Sequence, residues 1–83
     1  MSDQTLMRST TTQLPLNAKA WYNVGNEMVR GGDVVSGLEY LHRADDINPG
    51  HYLNNIGAAY SRIGKLDEAW EYFSRCAEVL LHY

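Results

Sequence analysis

The sequence predicts an all-α fold of two stacked antiparallel helical hairpins, four helices in all. Three observations lead there: an internal repeat at a spacing of 32 residues, apolar positions at helical intervals in each copy, and a glycine-marked break in the middle of each copy. Shifted by 32, the sequence aligns Asn23 with Asn55, Gly25 with Gly57, Arg30 with Arg62, Gly32 with Gly64, Glu39 with Glu71, Tyr40 with Tyr72 and Arg43 with Arg75. Apolar residues keep step with the identities: Val24 meets Ile56, Met28 meets Tyr60, Val34 meets Leu66, Leu41 meets Phe73 and Ile47 meets Val79. A repeat of this length describes a supersecondary unit that buries its apolar side against a neighbour.

The elements follow in order. Trp21, Val24, Gly25 and Met28 form the stripe of a first helix, and Leu53, Ile56, Gly57 and Tyr60 that of its counterpart. Gly31-Gly32-Asp33 and Gly64-Lys65 break the chain, after which Val34, Leu38, Leu41 and Ile47, or Leu66, Trp70, Phe73 and Leu80, form the second stripes. Asn17 and Asp33 are expected to cap helix starts with side-chain oxygens, and Asn48-Pro49-Gly50 to end the first hairpin. The predicted helices lie near 17–30, 33–47, 51–63 and 66–82. Units 17–49 and 50–83 follow an arm, 1–16, that fits neither copy and reads as flexible. Its Ser9, Thr10, Thr11, Thr12 and Pro15 suit such an arm, and docking of Leu14 and Leu16 along a neighbouring chain is the alternative. Gly25, Gly37 and Ala44, matched by Gly57, Ala69 and Cys76, supply the small side chains that let paired helices approach, so Cys76 reads as a small core residue.

With 83 residues the chain makes one domain at most, and additional buried area matters to one so small. Its 45% hydrophobic and 20% charged residues are ordinary for a globular protein. A net charge of −3 gives no attraction to nucleic-acid backbones. A single cysteine allows neither an internal disulfide nor a paired zinc site, which favours a reducing, cytoplasmic location. Residues 1–16 hold no continuous apolar run, so neither a secretory signal nor a membrane anchor is expected.

The run Trp21-Tyr22-Asn23-Val24-Gly25-Asn26, with Met28, Gly32-Asp33, Gly37, Leu41, Ala44 and Pro49, resembles the tetratricopeptide repeat. The second copy is similar through Ile56-Gly57, Tyr60, Gly64, Asp67-Glu68-Ala69, Phe73 and Cys76. Two departures stand out: the spacing is 32 residues where the family has about 34, with the shortening between Pro49 and Gly57, and Leu53 replaces the signature tryptophan. The resemblance implies a right-handed stack that binds an extended peptide or a partner helix in its concave face, as an adaptor or chaperone without chemistry of its own.

The residues opposite the buried stripes of the first helices are Lys19, Tyr22, Asn23, Asn26 and Arg30, then His51, Asn54, Asn55, Ala58 and Arg62. This face is polar, aromatic and mildly basic, while Asp45, Asp46, Asp67, Glu68, Glu71 and Glu78 lie on the second helices. An acidic or C-terminal peptide segment is the expected ligand of the first face. Some repeats of the resembled family clamp a carboxylate with lysine and asparagine. Asn26 and Asn55 stand at two matching positions, but Tyr22 occupies that of the first lysine, and hydrogen bonds to neighbouring helix backbones are the simpler role for both amides.

A different function is legible at the other end. Trp70, Phe73, Ala77, Leu80 and Leu81, with Val79 and Tyr83 nearby, leave apolar surface on a last helix with nothing after it to cover them. The alternative reading is therefore a structural subunit that forms a homodimer through this helix. No phosphate loop, cysteine pair, zinc-protease sequence or serine elbow is present, so no enzyme is expected, and no cofactor. Glu39, His42 and Asp46 have metal-capable spacing but read as a solvated face, while His51 and His82 have no evident partners; no metal is expected.

Overall fold

The computed structural model describes residues 17–81. Within them the chain forms α1 (Ala18–Arg30), α2 (Val34–Ile47), α3 (Leu53–Arg62) and α4 (Leu66–Leu81), with α1 packed on α2, α3 on α4, and α2 on α3. The expectations for the arm 1–16, including Leu14 and Leu16, and for His82 and Tyr83 lie outside the described residues.

The repeat is reproduced in two backbone hydrogen bonds of its turns. After α1 the amide of Gly32 donates to Val29 O at 3.1 Å and that of Asp33 to Met28 O at 2.9 Å; after α3, Gly64 donates to Ser61 O at 3.1 Å and Lys65 to Tyr60 O at 3.0 Å. These bonds tie up the last carbonyls of each helix, and the geometry requires a left-handed residue, supplied by Gly32 (φ 101°) and Gly64 (φ 78°). The two hairpins then close on small residues. A Cβ at Gly25 would stand 2.8 Å from Gly37 O, and one at Gly57 would stand 2.8 Å from the Phe73 ring and 3.2 Å from Ala69 O.

The main core lies where the hairpins meet. Val29, Val34, Leu38, Leu41, Ile56 and Ala59 form it, with Tyr22, Tyr60 and Tyr72 packed against its edge. Leu41 of α2 and Ile56 of α3 are its most enclosed large side chains, because only the two middle helices have neighbours on both sides.

That position effect corrects several expectations. Val24 is exposed whereas its counterpart Ile56 is fully buried, since α1 packs chiefly on α2 while α3 lies between α2 and α4; Val29 takes the inward place instead. Ile47 is exposed at the end of α2. Leu66, Trp70 and Leu80 are exposed on α4, where Ala69 is the buried residue, and Cys76 is half-buried rather than enclosed. Asn17 caps α1 as expected, its Oδ1 accepting from the amides of Lys19 (2.9 Å) and Ala20 (3.3 Å), but the side chain of Asp33 makes no cap bond. The two-residue shortening is absorbed at the entrance of α3, which starts at Leu53 although the position equivalent to Ala18 is Gly50. The loop there is held to α2 by the Gly50 amide, which donates to Asp45 Oδ1 at 3.1 Å.

Candidate functional site

The face formed by α1 and α3 begins with their capping and backbone geometry. The oxygen of Asn17 fixes the first turn of α1 and so the direction of Lys19, which is exposed; Asn23 and Arg30 follow on exposed positions, with Asn26 half-buried. From the second hairpin, Asn54 and Arg62 are exposed on α3, and His51 on the loop before it.

The hairpins are joined across this face by side chains proposed as binding groups. The amide of Asn55 donates to the Tyr22 hydroxyl at 3.4 Å, and Tyr22 stacks on Tyr52 with ring centres 4.9 Å apart. Arg62 donates from Nη1 to Val29 O at 3.0 Å, a second bond to a carbonyl that already accepts from the Gly32 amide, in the last turn of α1 where positive charge is favourable. Its counterpart Arg30 instead lies 3.8 Å from Glu27. The difference has two origins: the position equivalent to Glu27 is Ala59, so Arg62 has no carboxylate one turn back, and Arg62 has α1 beside it, whereas no described helix precedes α1 for Arg30 to reach. Tyr22, Asn55 and Arg62 thus set the spacing of the two helices, and Asn55 bonds a side chain rather than a helix backbone. Besides Arg62, which is exposed but bonded to α1, Lys19, Asn23, Arg30, His51 and Asn54 present charge or polarity outward on this face.

Sequence reasoning missed two clusters. Tyr52 supports Tyr22, yet its counterpart in the first copy is Ala20, so the repeat gave no signal. On the junction of α2, α3 and α4, His42 Nε2 lies 2.9 Å from the Tyr60 hydroxyl, and its ring packs on those of Tyr60 and Tyr72. Burial, followed by the nearby Tyr72, Glu68 and Glu71, pushes the Tyr60 hydroxyl above its ordinary value. Because its Nε2 is engaged by Tyr60, His42 is a packing residue. It also borders a shallow cleft of about 450 Å³ with Glu39, Asp46, Trp21, Tyr40 and Arg43, where the Arg43 guanidinium lies 5.3 Å from the Trp21 ring centre. Among the described residues, no three of His, Cys, Asp and Glu are grouped so as to hold a metal ion.

The apolar residues expected to pair on the last helix share one exposed side. Trp70 is 73% exposed, Leu80 67% and Leu81 83%, and Ala77 is exposed among them. Phe73, at 36%, divides its ring between solvent and the space over Gly57. Among the described residues, no helix is long and apolar enough to cross a membrane.

Over 59 residues, 69% of this chain, the sequence is 39% identical to a Caenorhabditis elegans protein named tetratricopeptide repeat protein 8, and the match covers 12% of that protein's length. No family model matches the chain, and no solved structure matches it.

Proposed function

We propose that this chain is a pair of tetratricopeptide-type repeats acting as a protein-interaction module, with the α1/α3 face as its binding surface. The observation that carries the reading is the cross-hairpin pair Tyr22–Asn55, reinforced by Arg62 on Val29 O. It holds two helices side by side in a fixed register, so the polar groups of both form one preorganised surface. Similarity to a protein named for the same repeat supports the family part of the reading. With Lys19 and Arg30 outward, and most of the acids on α2 and α4 although Glu27 lies beside Arg30 on α1, an acidic peptide or a C-terminal carboxylate is the complementary ligand, in an adaptor or chaperone role. The role is binding rather than catalysis, in the cytoplasm, where a half-buried thiol such as Cys76 stays reduced.

Fluorescent acidic peptides, each with a free and an amidated C-terminus, test this by titration with the whole chain. Saturable binding that falls at least tenfold for Lys19→Glu/Arg30→Glu is expected. Equal binding by that variant removes the face from the reading, and equal binding of the amidated peptides removes the carboxylate. A second reading, a homodimer through α4, is favoured by the exposure of Trp70, Leu80 and Leu81 on one side of that helix.

A further inference from the structure

The repeat identifies what kind of surface the outer side of α4 is. Val34, Leu38 and Leu41 of α2 are 8%, 7% and 1% exposed where α3 packs on α2. Their counterparts on α4 are Leu66, Trp70 and Phe73, which are 65%, 73% and 36% exposed. The second hairpin therefore carries, still apolar, the face that in the first hairpin is covered by a helix.

A second copy stacked head to tail is disfavoured as the cover. The face of α1 equivalent to the buried Leu53, Ile56 and Ala59 of α3 consists of Trp21, Val24 and Glu27, so such stacking would press a carboxylate onto the Trp70 stripe. The stripe itself is self-complementary. Leu66, Trp70, Phe73, Ala77 and Leu80 follow one another at intervals of four, three, four and three, which keeps them on one seam between two packed helices. A two-fold axis at Phe73, running through an antiparallel pair of α4 helices, sets Leu66 against Leu80 of the second copy and Trp70 against the adjoining small residues Cys76 and Ala77. The largest side chain meets small ones on both sides of the axis, as close packing requires. The positions bordering the seam, Ala69, Ser74, Cys76 and Leu81, carry no charge, and Asp67 alone does.

Resting on the second reading above, we propose that two copies of this chain pair through antiparallel α4 helices centred on Phe73, Trp70 of each seated over Cys76 and Ala77 of the other. The exposed apolar area is on the order of 500 Å² per copy, small for a specific interface, so a weak, concentration-dependent pairing is expected.

The test measures molar mass by light scattering on the whole chain across a broad concentration series. It is paired with a spin-label distance on Lys65→Cys in a Cys76→Ala background, the latter giving the residue found at the equivalent Ala44. A monomer–dimer transition is expected, abolished by Trp70→Glu with helicity kept. The label separation is expected to be about 25 Å or more, since position 65 then lies some sixteen residues along the axis from its mate. A monomer at every concentration overturns the pairing together with the second reading. A dimer that survives both Trp70→Glu and Leu81→Glu places the interface off α4. If Trp70→Glu loses its helicity, Leu81→Glu at the more exposed position replaces it. A dimer lost in these variants but with labels about 10 Å apart overturns only the antiparallel register, because parallel helices would hold them at the interaxial distance.

Discussion

At the scale of single residues, two glycines at equivalent positions carry different loads. A Cβ at Gly25 would meet the backbone oxygen of Gly37 at 2.8 Å and Tyr40 Cβ at 2.9 Å, neither of which can turn away. At Gly57 the close neighbours are ring atoms of Phe73, whose outer edge is exposed, with Ala69 O farther off at 3.2 Å. Gly25→Ala is expected to cost about 2–3 kcal/mol and Gly57→Ala about 1 kcal/mol, read from urea midpoints; equal losses would mean that both hairpins have the same tolerance. Tyr60 supplies a pH dependence. Its hydroxyl holds its proton more tightly when folded, so the unfolded chain ionises first, near 10, and native stability falls as pH rises from there through the higher folded value. Tyr60→Phe should flatten this alkaline loss in melts between neutral pH and pH of about 11, while forfeiting the His42 contact at neutral pH.

At the scale of elements, capping separates the helices. Asn17 accepts two amides of α1, so Asn17→Ala should lower stability by about 1 kcal/mol. The carboxylate of Asp33 makes no such bond at the start of α2, and Asp33→Ala should change the urea midpoint little. From the sequence the two positions look alike, each a short polar residue before an apolar stripe. They differ in backbone: Asn17 is extended (φ −106°, ψ 104°), whereas Asp33, its amide bonded to Met28 O, has φ −90° and ψ 72°. Likewise Arg30 and Arg62 are identical letters in register, but Arg30 has Glu27 one turn back and no described helix before α1, whereas Arg62 has Ala59 one turn back and α1 within reach.

At the scale of the molecule, the two hairpins share one core rather than owning one each. Leu38 and Leu41 of α2 and Ile56 and Ala59 of α3 lie in the same cluster. Ile56→Ala should therefore cost about 2–5 kcal/mol and melt both hairpins together. Trp21 fluorescence in a Trp70→Phe background reports the first hairpin and circular dichroism the whole chain, and coincident transitions are expected. Separate transitions would show that each hairpin folds on its own. The same sharing explains why α3, the shortest helix at ten residues, contains the fully buried Ile56.

The sequence by itself determined the repeat, the four helices and their turns, because glycine spacing and apolar period are local chemistry: Gly32 and Gly64 are required by backbone conformation, and Gly25 and Gly57 by close approach. It also placed Lys19, Asn23 and Asn54 on an outward face. Tertiary structure decided which apolar residues are buried, since a stripe is enclosed only where a second helix covers it. Ile56 and Leu41 lie in the middle of the stack, whereas Val24 at one end and Trp70 at the other have the same pattern with no helix over them among the described residues. It decided, too, that Tyr22, Asn55 and Arg62 bind the hairpins to each other, because contacts between residues 33 positions apart depend on how the hairpins stack.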